Sequence, residues 1–183
     1  QELMHKFEDS FNAAIKRYGK VKITGYTHMQ KAMPNDMKTW LSCFVSSMED
    51  NHELLEEAIE IIDQSPLGTA AGYGVPVFKI DQEMTSNEMK FEKVMENPIY
   101  VQMSRGKFEA LIVHTLSQIM FDLNKLSTDL IIFSIQEFGY VVLPKEFCTG
   151  SSMMPQKKNP DVLELVRAKY HIVLGEQFKL QSM

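Results

Sequence analysis

The protein has 183 residues, 44% of them hydrophobic and 23% charged, the make-up of a globular chain with enough length for a substantial core. Lys and Arg number 19 against 24 Asp and Glu, a net charge of −5, which argues against nucleic acid or an anionic membrane as the main partner but allows a local basic patch for a small anion. No apolar run reaches membrane-spanning length, no signal-peptide pattern is present, and Cys43 and Cys148 stand far apart without metal-ligand spacing, so a reduced, cytoplasmic compartment is expected.

Taken in chain order, residues 1–19 carry Leu3, Phe7, Phe11, Ala14 and Tyr18 at helical spacing. The pattern is already running at Gln1, and a second helical pattern over 161–183 is still running at Met183. Both ends read as cut, and the chain as an internal segment of a longer protein, with one central helical-bundle domain over 1–183. TGYTHMQ at 24–30 lies between helices. Over 36–63, Met37, Trp40, Leu41, Phe44, Met48, Leu55, Ile59 and Ile62 form one stripe, with Asn35 or Asp36 placed to cap it. Residues 64–80 hold three glycines and two prolines and read as an ordered loop. TSNEMKF at 85–91 predicts a short helix, Thr85 at its N-cap and Glu88 completing a capping box. Residues 105–138 predict a helix of roughly 50 Å at about 1.5 Å per residue. Its broad stripe, from Phe108 through Leu116, Leu123 and Leu130 to Ile135, requires burial on several sides, more than one chain supplies. YVVLP at 140–144 reads as a short extended piece. The class is all-α, and the thirteen methionines read as adaptable core filler.

Three stretches hold polar residues off these stripes: TGYTHMQ, VQMSRGKF at 101–108, and GSSMMPQKKNP at 150–160. A lone histidine is usually structural or surface-exposed. His28 differs from His5, His52, His114 and His171 because Thr27 and Gln30 flank it in an inter-helix stretch closed by Pro34, where a side chain can be aimed into a cleft. In the third stretch, Gly150, Ser151, Ser152, Pro155 and Asn159 do not suit a helix interior. The ordinary role of such serines is turn or cap hydrogen bonding. The sharper one is a loop that gathers a hydroxyl, the ammonium groups of Lys157 and Lys158 and the Asn159 amide around one carboxylate. A serine hydroxyl works as a base only where cations, backbone amides or a helix N-terminus stabilise its alkoxide.

GSSMMPQKKNP resembles the signature loop G-S-S-x-M-P-x-K-x-N-P of the fumarase/aspartase superfamily, matching it at Gly150, Ser151, Ser152, Met154, Pro155, Lys157, Asn159 and Pro160. Within that superfamily, QKKNPD followed by LEL, GYTHMQKAMP at 25–34 and SPLGTAA at 65–71 are similar to blocks of the argininosuccinate lyase family, in the same order along the chain. The resemblance implies the superfamily's central long-helix bundle and a homotetramer whose active sites are shared between three subunits. It implies cleavage of argininosuccinate to arginine and fumarate, the last step of arginine biosynthesis, by anti β-elimination through an aci-carboxylate carbanion, with no metal or organic cofactor. By position, Ser151 becomes the general base. Lys157 and Asn159 hold the succinyl carboxylate and its carbanion. His28 takes part in acid–base steps, with Glu164 as its acidic partner across a subunit boundary. Thr27, Gln30, Ser152 and Ser104 become further substrate contacts. One block departs: the family's S-x-R-D-F/Y stands here as Ser104-Arg105-Gly106-Lys107-Phe108, leaving Arg105 or Lys107 to supply the cation. The family's N- and C-terminal domains lie outside this sequence, so the isolated fragment is expected to be inactive. Two alternatives stand beside this reading. One is a sibling lyase (adenylosuccinate lyase, fumarase or aspartase), and the other is a non-catalytic helical scaffold, which has no need of Ser151, His28, Lys157, Asn159 and Glu164 together.

Overall fold

The computed structural model describes residues 1–183. Six α-helices dominate it, as the all-α expectation requires: α1 Glu2–Tyr18, α2 Met37–Ile62, α3 Gln82–Glu88, α4 Pro98–Met103, α5 Lys107–Ser134 and α6 Asp161–Gln181. Four short strands accompany them: β1 Lys22–Thr27, β2 Gln30–Asp36, β3 Gln64–Ser65 and β4 Lys93–Val94. None of the helices is long and apolar enough to cross a membrane. The chain forms two compact units, residues 1–53 with 116–174, and residues 54–115 with 175–183.

In the first unit, α1 meets α2 through aromatic edges. Phe7 stacks on Phe11 at 4.1 Å, and Phe11 points at Phe44 with 6.4 Å between ring centres. The chain then turns into an antiparallel hairpin in which Lys22 pairs with Asp36, Ile23 with Asn35 and Thr24 with Pro34. The register slips between Thr24 and Tyr26, at Gly25. A Cβ at Gly25 would lie 2.8 Å from the Met33 carbonyl oxygen, so the bulge needs a residue without one. TGYTHMQ lies between helices as expected, and within it residues 24–27 are strand, His28 and Met29 are the turn, and Gln30 opens the second strand. Asp36 ends the hairpin and starts α2, as expected of a cap. Its Oδ1 accepts from the Thr39 amide at 3.0 Å and the Thr39 hydroxyl at 2.9 Å. These bonds, with Lys22 beside them, hold the Asp36 carboxyl below its ordinary range.

Carboxylates on α5 fix its seam with α2. Asp122 Oδ2 accepts from Ser47 Oγ and Asn51 Nδ2, both at 2.6 Å, and Asp129 Oδ2 accepts from Trp40 Nε1 at 2.9 Å. Around these bonds lie Leu41, Phe44, Val45, Met48 and Leu126, all buried. Trp40 packs on Phe133 at 5.1 Å, and Phe121 on Tyr170 of α6 at 6.0 Å.

In the second unit, β3 and β4 pair in parallel over two residues each, beside buried Ser65 and Met95. Asn97 caps α4 by accepting from Ile99 and Tyr100 amides, with Pro98 opening the helix. The 64–80 segment is an ordered loop in which Gly68, Gly72 and Gly74 take positive φ and Gln82 donates to the Leu67 carbonyl.

Several expectations are corrected. The helix expected to begin at Thr85 begins at Gln82. Asp81 is the cap, accepting from the Met84 amide at 2.9 Å, and the Thr85 hydroxyl bonds back to the Gln82 carbonyl. Asp81 outcompetes Thr85 because a carboxylate is the stronger acceptor for an orphan helix amide. The long helix stops at Ser134, where Gly139 at φ 59 turns the chain, and 140–144 pairs with no strand. On α5 the small polar Thr115, Ser117 and Ser127 are buried while Leu116, Phe121 and nearby Ile135 stay exposed, so one chain leaves much of the stripe uncovered. Methionines are not chiefly core filler: Met4, Met48 and Met95 are buried, but Met29, Met33, Met84, Met89, Met103, Met153 and Met154 are exposed.

Two predictions follow from these contacts. Asp122→Ala leaves buried Asn51 and half-buried Ser47 without their acceptor and should cost about 2 kcal/mol in denaturant unfolding. An unchanged midpoint would mean that the seam does not depend on it. For Asp36, whose folded pKa is depressed, the stabilisation is complete above the unfolded carboxyl value and is lost as pH falls through the folded one. The stability gap between wild type and Asp36→Ala should thus shrink on acidification, and a gap constant with pH would remove the cap from the account.

Candidate active site

His28 sits at the tip of the β1–β2 hairpin. Thr27 pairs with Gln30, so the turn has only two central residues, His28 and Met29. Both have positive φ, 51° and 60°. That is the tight turn that matches strand twist, but Asn-Gly suits it best, and a bulky L-residue there costs on the order of 1 kcal/mol or more. Strain of this kind is tolerated where a side chain has to be presented. His28, Thr27 and Gln30 are all exposed. Below the tip lies a cleft of about 350 Å³ whose rim includes His28 and Met29. Its walls come from Tyr26 and Asn35 of the hairpin, Trp40 of α2, Asp129 and Phe133 of α5, and Phe138. Tyr140 supports the hairpin from behind, its phenol oxygen accepting from the Thr24 amide at 3.3 Å. Hydrogen bonding with Thr24 lowers the Tyr140 phenol from its ordinary range, whereas burial and the nearby Tyr140 raise Tyr26.

The 150–160 loop is closed at its base by a bridge between Thr149 and Asn159, each amide donating to the other's carbonyl, at 3.0 and 2.8 Å. Inside it the Ser151 Oγ accepts two backbone amides, Met153 at 3.3 Å and Met154 at 3.2 Å. Two N–H dipoles converging on one hydroxyl oxygen favour its alkoxide, the condition a serine base must meet. A turn from Met154 to Lys157 orders the next stretch, its amide bond 3.0 Å long. Ser152, Lys157 and Lys158 are exposed, and half-buried Asn159 reaches the Gly150 carbonyl at 3.5 Å through Nδ2. Directly after the loop, the Pro160 carbonyl accepts from Leu163 and Glu164 to begin α6, with the Glu164 side chain exposed in its first turn. Within one chain His28 and Glu164 are not paired.

Ser104 belongs to the second unit. It is 4% exposed at the end of α4, and its hydroxyl donates to the Val101 carbonyl at 3.1 Å. Gly106, at φ 83°, turns the chain into α5. Lys107 lies over the Tyr100 ring and donates to its phenol oxygen at 3.1 Å. Arg105 instead lines a second cleft, of about 370 Å³, beside Ser104, Gln64 and Pro66. Both cations left open by the sequence line a further cleft with Glu109, Leu180 and Gln181, but Arg105 alone reaches the one beside Ser104.

The lyase family model matches residues 1–175. The chain belongs to the lyase family. An argininosuccinate lyase of Thermotoga neapolitana is 50% identical to it over 183 residues, covering 100% of this lyase chain and 46% of the relative. One from Parabacteroides distasonis is 40% identical over 178 residues, covering 96% and 40%. The chain thus spans less than half the length of these curated relatives. Among solved structures, EDDS lyase in complex with formate matches at a TM-score of 0.92 and 22% identity, covering 100% of this chain and 37% of the other. The class II fumarase of Schistosoma mansoni matches at 0.82 and 20%, covering 96% and 41%. These two share the fold, the helical domain expected from the signature loop.

The structure joins Ser151 to the amides of its own loop and brings Thr27, His28 and Gln30 to one hairpin tip. Sequence reasoning did not find Trp40, Tyr26 and Asp129 as walls of the His28 cleft. Trp40 and Asp129 lie in helical stripes far apart in the chain, and no local signal marks them as neighbours. If the hairpin tip is strained, Met29→Gly should raise stability by about 1 kcal/mol while leaving His28 in place. Loss of stability in thermal unfolding would show that the turn carries no such cost.

Proposed function

We propose that this chain supplies part of the active site of a lyase that cleaves argininosuccinate to arginine and fumarate. The observation that carries this reading is the pair of amides on Ser151 Oγ. The relatives named argininosuccinate lyase, at 40% and 50% identity, support the choice of substrate.

The chemistry follows from where charge develops. Ser151, as alkoxide, takes the proton from the carbon next to a succinyl carboxylate, and the electron pair moves into that carboxylate as an aci-carboxylate. Lys157 and Asn159 hold it through an ammonium and an amide. The pair then returns to form the carbon–carbon double bond of fumarate as the carbon–nitrogen bond on the opposite side breaks. The departing guanidino nitrogen leaves with the electrons of that bond and takes up a proton, which yields arginine. His28 serves the acid–base step, charged and oriented by Glu164 of the partner subunit. Thr27, Gln30 and Ser152 contact the substrate. Ser104, beside Arg105 in the second cleft, is a further substrate contact through its oxygen, which can still accept a bond while its proton is donated to the Val101 carbonyl. The uncovered apolar face of α5 fits a homotetramer whose sites draw on three subunits. A site so assembled needs the rest of each subunit, so the 183-residue chain alone is expected to be inactive. The proposed elimination requires neither nucleic acid nor a membrane.

Fumarate release, followed by ultraviolet absorbance with argininosuccinate, adenylosuccinate, malate and aspartate in parallel, tests the reading on the full-length protein. Argininosuccinate turnover is expected. Ser151→Ala should lower kcat by about 10²- to 10⁴-fold with helix content unchanged. Turnover of another succinyl substrate would move the reading to a sibling lyase, full activity in Ser151→Ala would remove the base, and no turnover of any substrate would favour a scaffold.

A further inference from the structure

The first two helices bring together a donor set that the elimination does not use. His5 and Glu8 stand three residues apart on α1 and so share one face of it. His52 comes from α2. His5 Nδ1 lies 3.6 Å from Glu8 Oε2, and His52 Nδ1 lies 4.0 Å from Glu8 Oε1. The two imidazole rings meet edge to face with centres 4.4 Å apart. One ligand atom from each of the three residues falls within 4.8 Å of the others.

A plain ion pair accounts for this arrangement poorly. Glu8 Oε1 is buried and accepts no hydrogen bond, an expensive state for a carboxylate oxygen. Two protonated imidazoles stacked this closely would repel each other. Neutral imidazoles and a carboxylate converging on one point are instead the donors that a borderline divalent ion takes, and two His with one Glu is a donor set used for zinc with a water in the fourth position. His52 and Glu8 are largely enclosed, whereas the His5 side chain is 60% exposed and leaves a solvent side open for that water.

We propose that His5, Glu8 and His52 form a binding site for one divalent transition-metal ion, zinc by preference, that staples α1 to α2. The staple has a clear purpose. Met4 is the one buried residue of α1, so the helix has little apolar hold of its own and gains from a metal link.

Titration of the full chain, freed of metal by a chelator, with zinc alone should show uptake of one ion per chain and a rise in thermal midpoint. Cobalt should replace it with the visible absorption of a four-coordinate ion. His52→Ala and Glu8→Gln should each weaken uptake by about 100-fold, a lost ligand costing at least as much as a lost supporting contact. His171→Ala should leave uptake unchanged. His5→Ala, at an exposed position, tests the site where folding is not at stake, with circular dichroism as the check, and it should abolish the zinc-dependent rise in midpoint. No stoichiometric uptake by the wild-type chain, or uptake undiminished in both His5→Ala and His52→Ala, would overturn the proposal.

Discussion

Two carboxylates on α5, Asp122 and Asp129, decide how α5 meets α2 in the first unit. They sit about two turns apart on one face, and each is satisfied by donors on α2: Ser47 and Asn51 for the first, Trp40 for the second. Both acids are half-buried, where an unpartnered carboxylate is still costly, so sliding either helix by one turn would strand both acids and all three donors. Apolar packing by itself would permit neighbouring registers. The acids choose one, and with it they fix Trp40 as a cleft wall and the point where the hairpin enters α2 at Asp36.

The 150–160 loop follows a different rule. It rests on almost no apolar burial and is held by a single bridge at its neck and by bonds between its own backbone and Ser151. Gly150 shows neither a left-handed φ nor a neighbour that would exclude a side chain. The structure therefore sets no steric need for glycine at this position. The loop thus holds an organised hydroxyl beside two exposed lysines, the arrangement on which the proposed elimination draws.

Much of this was legible from residue order. The four long helices, the Asp36 cap and the glycine loop over 64–80 declare themselves through periodicity and turn chemistry, which are local signals. Backbone amides were one of three ways open to serve the Ser151 oxygen, beside cations and a helix N-terminus, and residue order alone did not choose among them. The hairpin around His28 was hidden because His-Met is a poor sequence for its turn: the strand pairing overrides the local preference. Asp81 was passed over for Thr85 because both begin acceptable capping patterns four residues apart, and only geometry chooses. Methionine exposure was not legible because composition gives the number of methionines and not the faces on which they lie. The His5–Glu8–His52 cluster was out of reach, since its third member lies on a different helix.

Trp40 is the sole tryptophan of the chain. Its indole N–H is tied to a carboxylate, its ring lies against Phe44 and Phe133, and it forms part of the cleft beneath His28. Its emission therefore reports on a single place. Anything that enters the cleft changes the polarity around the indole, and anything that loosens Asp129 changes its hydrogen bond. The molecule carries its own optical gauge of the His28 cleft, with no second indole to blur the signal.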